Sequence, residues 1–435
     1  MRLDLSEEKQ AILQNQYTGI TKANFTQFVD HFDVLNYNTW SQEYFVDATH
    51  WKGIGYPVFI NIGGEWDIEE HHFKRTWCQE YAAEFNALCF ILEHRFYGQS
   101  HPFGLDNPDE NGWKLLTASQ ALADASTFIT EMNKAYDFQP DVKWIAFGCS
   151  YGGTLATWLR LKYPNLVHGA VASSAPLLAQ LDYPEYVQVV EQALFDQDPQ
   201  CPLAIKQGAF ALDQVQDKSS IICSYFGHFD FGYCNNEDFD VFYYTSNAVI
   251  TQYNDFRNLQ LNVDIVCEIM TNETIGTPMH RLIELLQQYF EQKIQRKDPP
   301  TPYLRKPWHF QVCNEFGWFQ TYPLFGYTLE KNLERCKNIS GKFDKKFVQK
   351  QIAQTNFLFG GKEPEVTNVV FVHGSIDPWS AMGRTEPWPN DDVDVIIVEG
   401  ASHCQDGILG IEDNWPEMKL AKSKIRKRLQ QWFSE

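Results

Sequence analysis

Short apolar runs recur along the first third of the chain and again near its end, with little like them between. Pro57 to Ile62, Ala87 to Leu92, Val142 to Phe147 and Val167 to Ala172 are each of strand length and too apolar for an exposed surface. Asn368 to His373 and Val393 to Val398 have the same character. Runs of this kind predict strands covered on both faces, as in a parallel sheet. Helical patterns alternate with them. His71 to Asn86 reads as one helix, and Leu115, Ala118, Leu122, Ala125, Ile129 and Met132 recur at spacings of three and four, the stripe of an amphipathic helix packed on a sheet. A closing helix carries Met418, Ala421, Ile425, Leu429 and Trp432, with Lys and Arg expected towards its carboxyl end, where the helix dipole favours them. After Pro176 the strand pattern fades into Tyr-, Phe- and Gln-rich sequence with helical patches such as His280 to Lys293. The pattern predicts an α/β sheet domain in two parts, residues 1–175 and 356–435, interrupted by a mainly helical cap over 176–355.

The third run leads into Gly148-Cys149-Ser150-Tyr151-Gly152, a Gly-x-Ser-x-Gly between a strand and a helix. A serine on so sharp a turn needs glycines beside it, because the backbone is strained and lies against its neighbours, and its Oγ then stands clear of the sheet. Alone, the pentapeptide is an ordinary Gly-rich turn. A serine nucleophile also needs a base and a group to orient that base. Asp377 follows the strand ending near His373, and His403 follows the strand ending at Val398, so both sit past the carboxyl end of a strand, where open parallel sheets build their sites. Either one alone reads as a turn or capping residue. The order Ser, Asp, His is that of the α/β-hydrolase sheet, and it predicts a triad of Ser150, Asp377 and His403. Asp377 lies 227 residues after Ser150, far more than one βαβ step, which is the room for the cap. The backbone N–H of Tyr151 and one from the Gly63-Gly64-Glu65 loop, with Gly64 favoured, are the expected oxyanion donors. Glu65 could anchor a substrate amine, and Trp379 could wall a proline-sized pocket.

The chain resembles the serine carboxypeptidase S28 family over most of its length. The resemblance is carried by Phe28-Val-Asp-His-Phe32, Phe59 to Glu65, Glu93-His-Arg-Phe-Tyr-Gly-Gln-Ser100, the elbow, Ala172-Ser-Ser-Ala-Pro176 and His373-Gly-Ser-Ile-Asp-Pro-Trp379. Gln311 to Thr321 and Ser402-His403-Cys404 look closest to the thymus-specific branch of that family. The resemblance implies an α/β-hydrolase fold and an exopeptidase that favours peptides with proline near the cleaved bond. The chain departs from the family at Cys149, where glycine is usual, and two of the branches carry a second histidine in place of Cys404. Whether Cys404 is free or disulfide-bonded is open at this level. An esterase or lipase on the same fold, and a hydrolase-like binding protein without activity, are the other readings.

Composition narrows the setting. A net charge of −20 argues against nucleic acid as a partner and suits an acidic compartment. No run is apolar enough to span a membrane, no cofactor motif is present, and the expected partners are peptide substrates, with a homodimer left open. The ten cysteines are even in number and lack metal-site spacing, which predicts disulfides and an oxidising compartment, lysosomal, vacuolar or secreted. Six of them fall between Cys201 and Cys336. Three sequons, at Asn24, Asn272 and Asn338, agree with secretory passage and glycosylation, although no apolar signal segment is visible at Met1 to Gln10. Glu69-Glu-His-His72 reads as a solvated helix start and not as a metal cluster, because adjacent helical residues face different ways. Arg95 is expected to anchor loops through a carboxylate.

Overall fold

A computed structural model describes residues 19–70, 76–104, 112–215, 262–295, 302–323 and 326–434. In chain order the elements are β1 (Ile20–Phe28), β2 (Thr39–Asp47), β3 (Val58–Ile62), α1 (Trp77–Phe85), β4 (Leu88–Leu92), α2 (Ala118–Ala135), β5 (Trp144–Cys149), α3 (Tyr151–Lys162) and β6 (Gly169–Ser173). The inserted stretch contributes β7 (Gln180–Asp182), α4 (Glu185–Gln197), α5 (Gln200–Asp213), α6 (Val263–Thr271), α7 (Pro278–Gln295), α8 (Pro302–Gln311), β8 (Gly317–Phe319), α9 (Leu329–Ile339) and α10 (Lys345–Phe359). The chain then returns to β9 (Val369–Gly374), β10 (Val393–Val398) and α11 (Pro416–Ser434).

Eight strands form one sheet in the order β1-β2-β4-β3-β5-β6-β9-β10. Strand β2 runs antiparallel to both neighbours, and every other pairing is parallel. Alternation along the central strands sorts side chains to two cores, as a period of two requires. On β5, Trp144 and Ala146 face the core built with α2 and α3, whereas Ile145 and Phe147 face the one built with α1 and α11. On β9, Val369 and Phe371 join the first, and Val370 and Val372 the second.

Helix ends follow their sequence signals. Thr117 caps α2 by accepting from Gln120 N, Asp344 caps α10 through Phe347 N at 2.8 Å, and Gly360, at φ 87°, ends α10 in the left-handed conformation that glycine adopts freely. The hairpin β1–β2 was not evident in the hydrophobic pattern, because β1 is mostly exposed and its polar residues mask the alternation. The closing helix corrects another expectation. Its last turn holds no basic residue. Its cations sit further back, where Lys422 and Arg426 bind Glu80 of α1 at 2.6 and 2.5 Å and Arg428 binds Asp394 of β10 at 2.6 Å, so they join α11 to its neighbours rather than answer its dipole.

Among the described residues two disulfides lie in the insert, Cys223 and Cys234 falling outside them. Cys201–Cys267 ties α5 to α6, and Cys313–Cys336 ties the turn after α8 to α9. Cys78 on α1 and Cys89 on β4 are free and buried. The insert also has a two-stranded parallel sheet, β7 with β8.

Candidate active site

Ser150 follows β5 directly and opens α3, and no smooth path joins a strand to a helix in one residue. Its backbone is held at φ 56° and ψ −129°, a conformation a residue with a Cβ seldom adopts and one that marks an imposed turn. The flanking glycines are required by contact. A Cβ on Gly148 would lie 2.2 Å from Gly152 O, one on Gly152 2.6 Å from Ile62 O, and one on Gly153 2.7 Å from Ser173 O. The turn is pinned by Ser150 N donating to Ser173 O at 2.9 Å and Thr154 N donating to Ser150 O at 3.0 Å.

Asp377 and His403 follow β9 and β10, the parallel strands beyond β6 on that side of the sheet. Asp377 is fully buried at the head of a short 3-10 turn, where its carboxylate accepts from Trp379 N at 3.0 Å and meets His403 Nδ1 at 2.9 Å. Burial opposes its charge, yet His403, His373 and the Ser174 hydroxyl together hold its pKa below the ordinary value. With Nδ1 on the carboxylate, Nε2 is left as the ring nitrogen for other work. The two loops approach closely: a Cβ on Gly374 would fall 2.0 Å from Ala401 O.

Ser150, His403 and Glu65 line one cavity of about 320 Å³, together with Trp66, Trp77 and Ile408. Among the residues lining it, none is Lys or Arg. Burial pushes the Glu65 carboxyl up to about 7, against the pull of His403, and its Oε2 is buried without a hydrogen-bond partner among the described residues. Tyr151 is the first residue of α3, so its N–H has no acceptor within the helix. Its ring is buried, with the hydroxyl accepting from Gln311 Nε2 at 2.9 Å and 3.2 Å from His94 Nε2. Gly64 is buried beside the Trp66 ring, 2.5 Å from where a Cβ would stand, so no larger residue fits.

Trp379 sits between the base and the insert. Its ring lies 6.3 Å from that of His403, 5.8 Å from Trp318 of β8, 5.7 Å from Tyr183 and 5.6 Å from Tyr186 of α4. The Tyr183 hydroxyl also donates to the carbonyl of Pro378. Arg95 has the anchoring part expected of it: wholly buried, it forks onto Asp124 at 2.6 and 2.7 Å and donates to the carbonyls of Val29 and Leu115.

Three features escaped the sequence. Cys149 and Cys404 are disulfide-bonded, joining the residue before Ser150 to the one after His403. Ser174, at φ 49°, accepts from Cys404 N at 2.9 Å and braces the same loop; Ser-Ser in Ala172-Ser-Ser-Ala-Pro176 was the available signal. Gln311, at the end of α8, and Glu315, on the turn after it, reach back to Tyr151 and to Ala118 N. The Glu69-to-His72 stretch contributes two exposed carboxylates, and His71 and His72 lie outside the described residues. Asn24, Asn272 and Asn338 are all exposed.

The strand order, the single antiparallel strand and the serine at the β5–α3 elbow define an α/β-hydrolase. More narrowly, the chain belongs to the serine carboxypeptidase S28 family, whose model matches residues 27–425, and it is a serine-type peptidase. It is similar to the thymus-specific serine protease of Homo sapiens, 28% identical over 448 residues covering 94% of this chain and 85% of that one. It is also similar to the mouse protein of the same name, at 29% over 446 residues, covering 94% and 87%. The lysosomal Pro-X carboxypeptidase of Mus musculus is 28% identical over 420 residues, covering 87% and 82%.

Proposed function

We propose that the protein is a serine exopeptidase in which Ser150, Asp377 and His403 act as a triad, and that it takes short peptides by their amino end. The observation that carries the reading is the Asp377–His403 pair at 2.9 Å, whose His403 shares a cavity with a serine on a strained elbow. His403 Nε2 takes the Ser150 proton as Oγ attacks the scissile carbonyl, and Asp377 keeps Nδ1 protonated and steadies the imidazolium that forms. Tyr151 N–H and the Gly64 N–H then hold the oxyanion, the leaving amine receives the proton from His403, and water releases the acyl group by the same steps in reverse.

Charge around the cavity supports amine-end selection. A carboxylate captures an ammonium and a cation captures a carboxylate, and this cavity is lined by Glu65 with no Lys or Arg. Trp379, whose ring lies 6.3 Å from that of His403, would wall a proline-sized space near the cleaved bond, in line with the name of the Pro-X carboxypeptidase relative. The helical insert over 176–355 would restrict entry to chain ends. Disulfides, exposed sequons and a lysosomal relative support a secretory or lysosomal setting, and no helix among the described residues is long and apolar enough to cross a membrane. A library of peptides with free and blocked termini, cleavage read by mass spectrometry, tests the reading. Loss of cleavage on amine blocking is expected. Loss on carboxyl amidation alone would reverse the assignment of the end.

A further inference from the structure

Cys149, Cys404 and His403 bring two sulfur atoms and one ring nitrogen within 4.8 Å of one another. Soft thiolates and imidazole are the donors zinc prefers, and a tetrahedral zinc with bonds of about 2.3 Å to sulfur sets two sulfurs roughly 3.8 Å apart, inside that envelope. While the disulfide is intact its sulfurs are no ligands for such an ion. The second coordination shell already exists: Asp377 holds Nδ1 of His403 at 2.9 Å, the carboxylate–histidine arrangement that orients an imidazole so that its other nitrogen can bind metal. Both cysteines and the histidine line the cavity, so a reductant and an ion can enter.

We infer that the Cys149–Cys404 disulfide masks a zinc site, and that its reduction converts the machinery for proton transfer into a chelator that switches the enzyme off. A dithiol reductant breaks the sulfur–sulfur bond; its two sulfurs join as a disulfide, and Cys149 and Cys404 each gain a proton as thiols. A soft divalent cation then displaces both protons and accepts lone pairs from the two thiolates and from His403 Nε2. A water completes the fourth position, as in open three-ligand zinc sites. The ion takes the lone pair that must receive the Ser150 proton, so turnover falls in proportion to occupancy. The inhibition rests on the triad proposed above, whereas binding of the metal does not.

The experiment therefore reads binding and turnover separately. The full chain is reduced with a phosphine, which does not compete as a thiol ligand, and titrated with cobalt(II) alone, whose thiolate charge-transfer absorption reports sulfur ligation, and then with zinc. The expected result is one thiolate-bound cobalt per reduced chain, none in the oxidised chain, and zinc inhibition of the reduced form alone. Cys404→Ser should weaken the absorption at least tenfold. Cys149→Gly, which places the family's usual residue there, should do the same and guards against misfolding of the first variant. Equal uptake by oxidised and reduced protein, or an undiminished band in both variants, would overturn the proposal, since the remaining cysteines would then be the ligands. Metal binding without inhibition would retain the site and reject the role of His403 as base.

Discussion

The strands that end beneath Ser150 and the inserted helices that meet Trp379 bury their residues by different means. Strands β3, β5, β6 and β9 are filled with Val, Ile, Phe and Ala whose only demand is to be kept from water, and the sheet hydrogen-bonds its own backbone. Among the described residues the insert is held by two disulfides, by the contacts of Trp318 and Tyr186 with the Trp379 ring and by buried polar reach such as Gln311 to Tyr151. The strands themselves hold little that titrates; the groups that couple stability to protonation, Glu65 and Glu93 after β3 and β4 and Glu315 in the insert, lie on the loops and turns that join the two regions around the site.

The largest effect expected across that line is on turnover. Ser150→Ala should remove about a million-fold of kcat, measured on a peptide the wild type cleaves, with the fold kept by circular dichroism. Asp377→Asn should cost about ten thousand-fold in kcat with little change in KM, because the imidazole loses the partner that fixes its tautomer. A loss below about tenfold would show that the sheet-edge residues are not the chemical centre.

A smaller effect separates the two regions by binding. Glu65→Gln should raise KM for free-amine peptides by roughly ten- to a hundred-fold, the worth of a hydrogen bond to a charged group, and leave amine-blocked ester substrates unchanged. Equal changes for both substrates would assign Glu65 to its own loop.

The smallest effect is on stability. Burial pushes Glu65 up to about 7, Glu93 to about 7 despite its bonds to Ser100, Ile68 N and Gln99 N, and Glu315 to about 8. Their ordinary value is 4.5, so between 4.5 and about 8 the folded chain keeps protons that the unfolded chain has lost. The stability they contribute is full below pH 4.5 and declines as pH rises through 7 to 8. Asp377 and Asp124 are shifted the other way, the first held charged by His403 and the second by Arg95 against burial, and their contribution vanishes on acidification below 3.8. Buried His94 and His373, pushed down to about 4, work the opposite way between pH 4 and 6.5, so the melting temperature should change little up to about pH 6.5 and drop by several degrees between there and pH 8. Glu315→Gln should flatten part of that drop, since Glu315 has the highest of the three pKa values; a melting temperature that rises steadily to pH 8 would contradict the assignment.

Legibility in the sequence follows the same division. The runs at 57–62 and 87–92 became β3 and β4 within a residue, because a strand buried on both faces has little freedom in composition, whereas 393–398 became β10, a half-exposed edge strand. The positions of Ser150, Asp377 and His403 were readable because a turn after a strand constrains its glycines and its order. Cys149–Cys404 was not, since pairing across 255 residues depends on where two loops meet in space. The Trp379 ring cluster was hidden for the same reason: Tyr183, Trp318 and Trp379 are far apart in the chain and meet only in the fold.

The central claim is that Ser150 is the nucleophile, and a fluorophosphonate probe tests it most directly. Labelling followed by proteolysis and mass spectrometry should place one adduct on Ser150, blocked by prior denaturation and absent from Ser150→Ala. An adduct on another serine, or undiminished labelling of the Ala variant, would contradict the account.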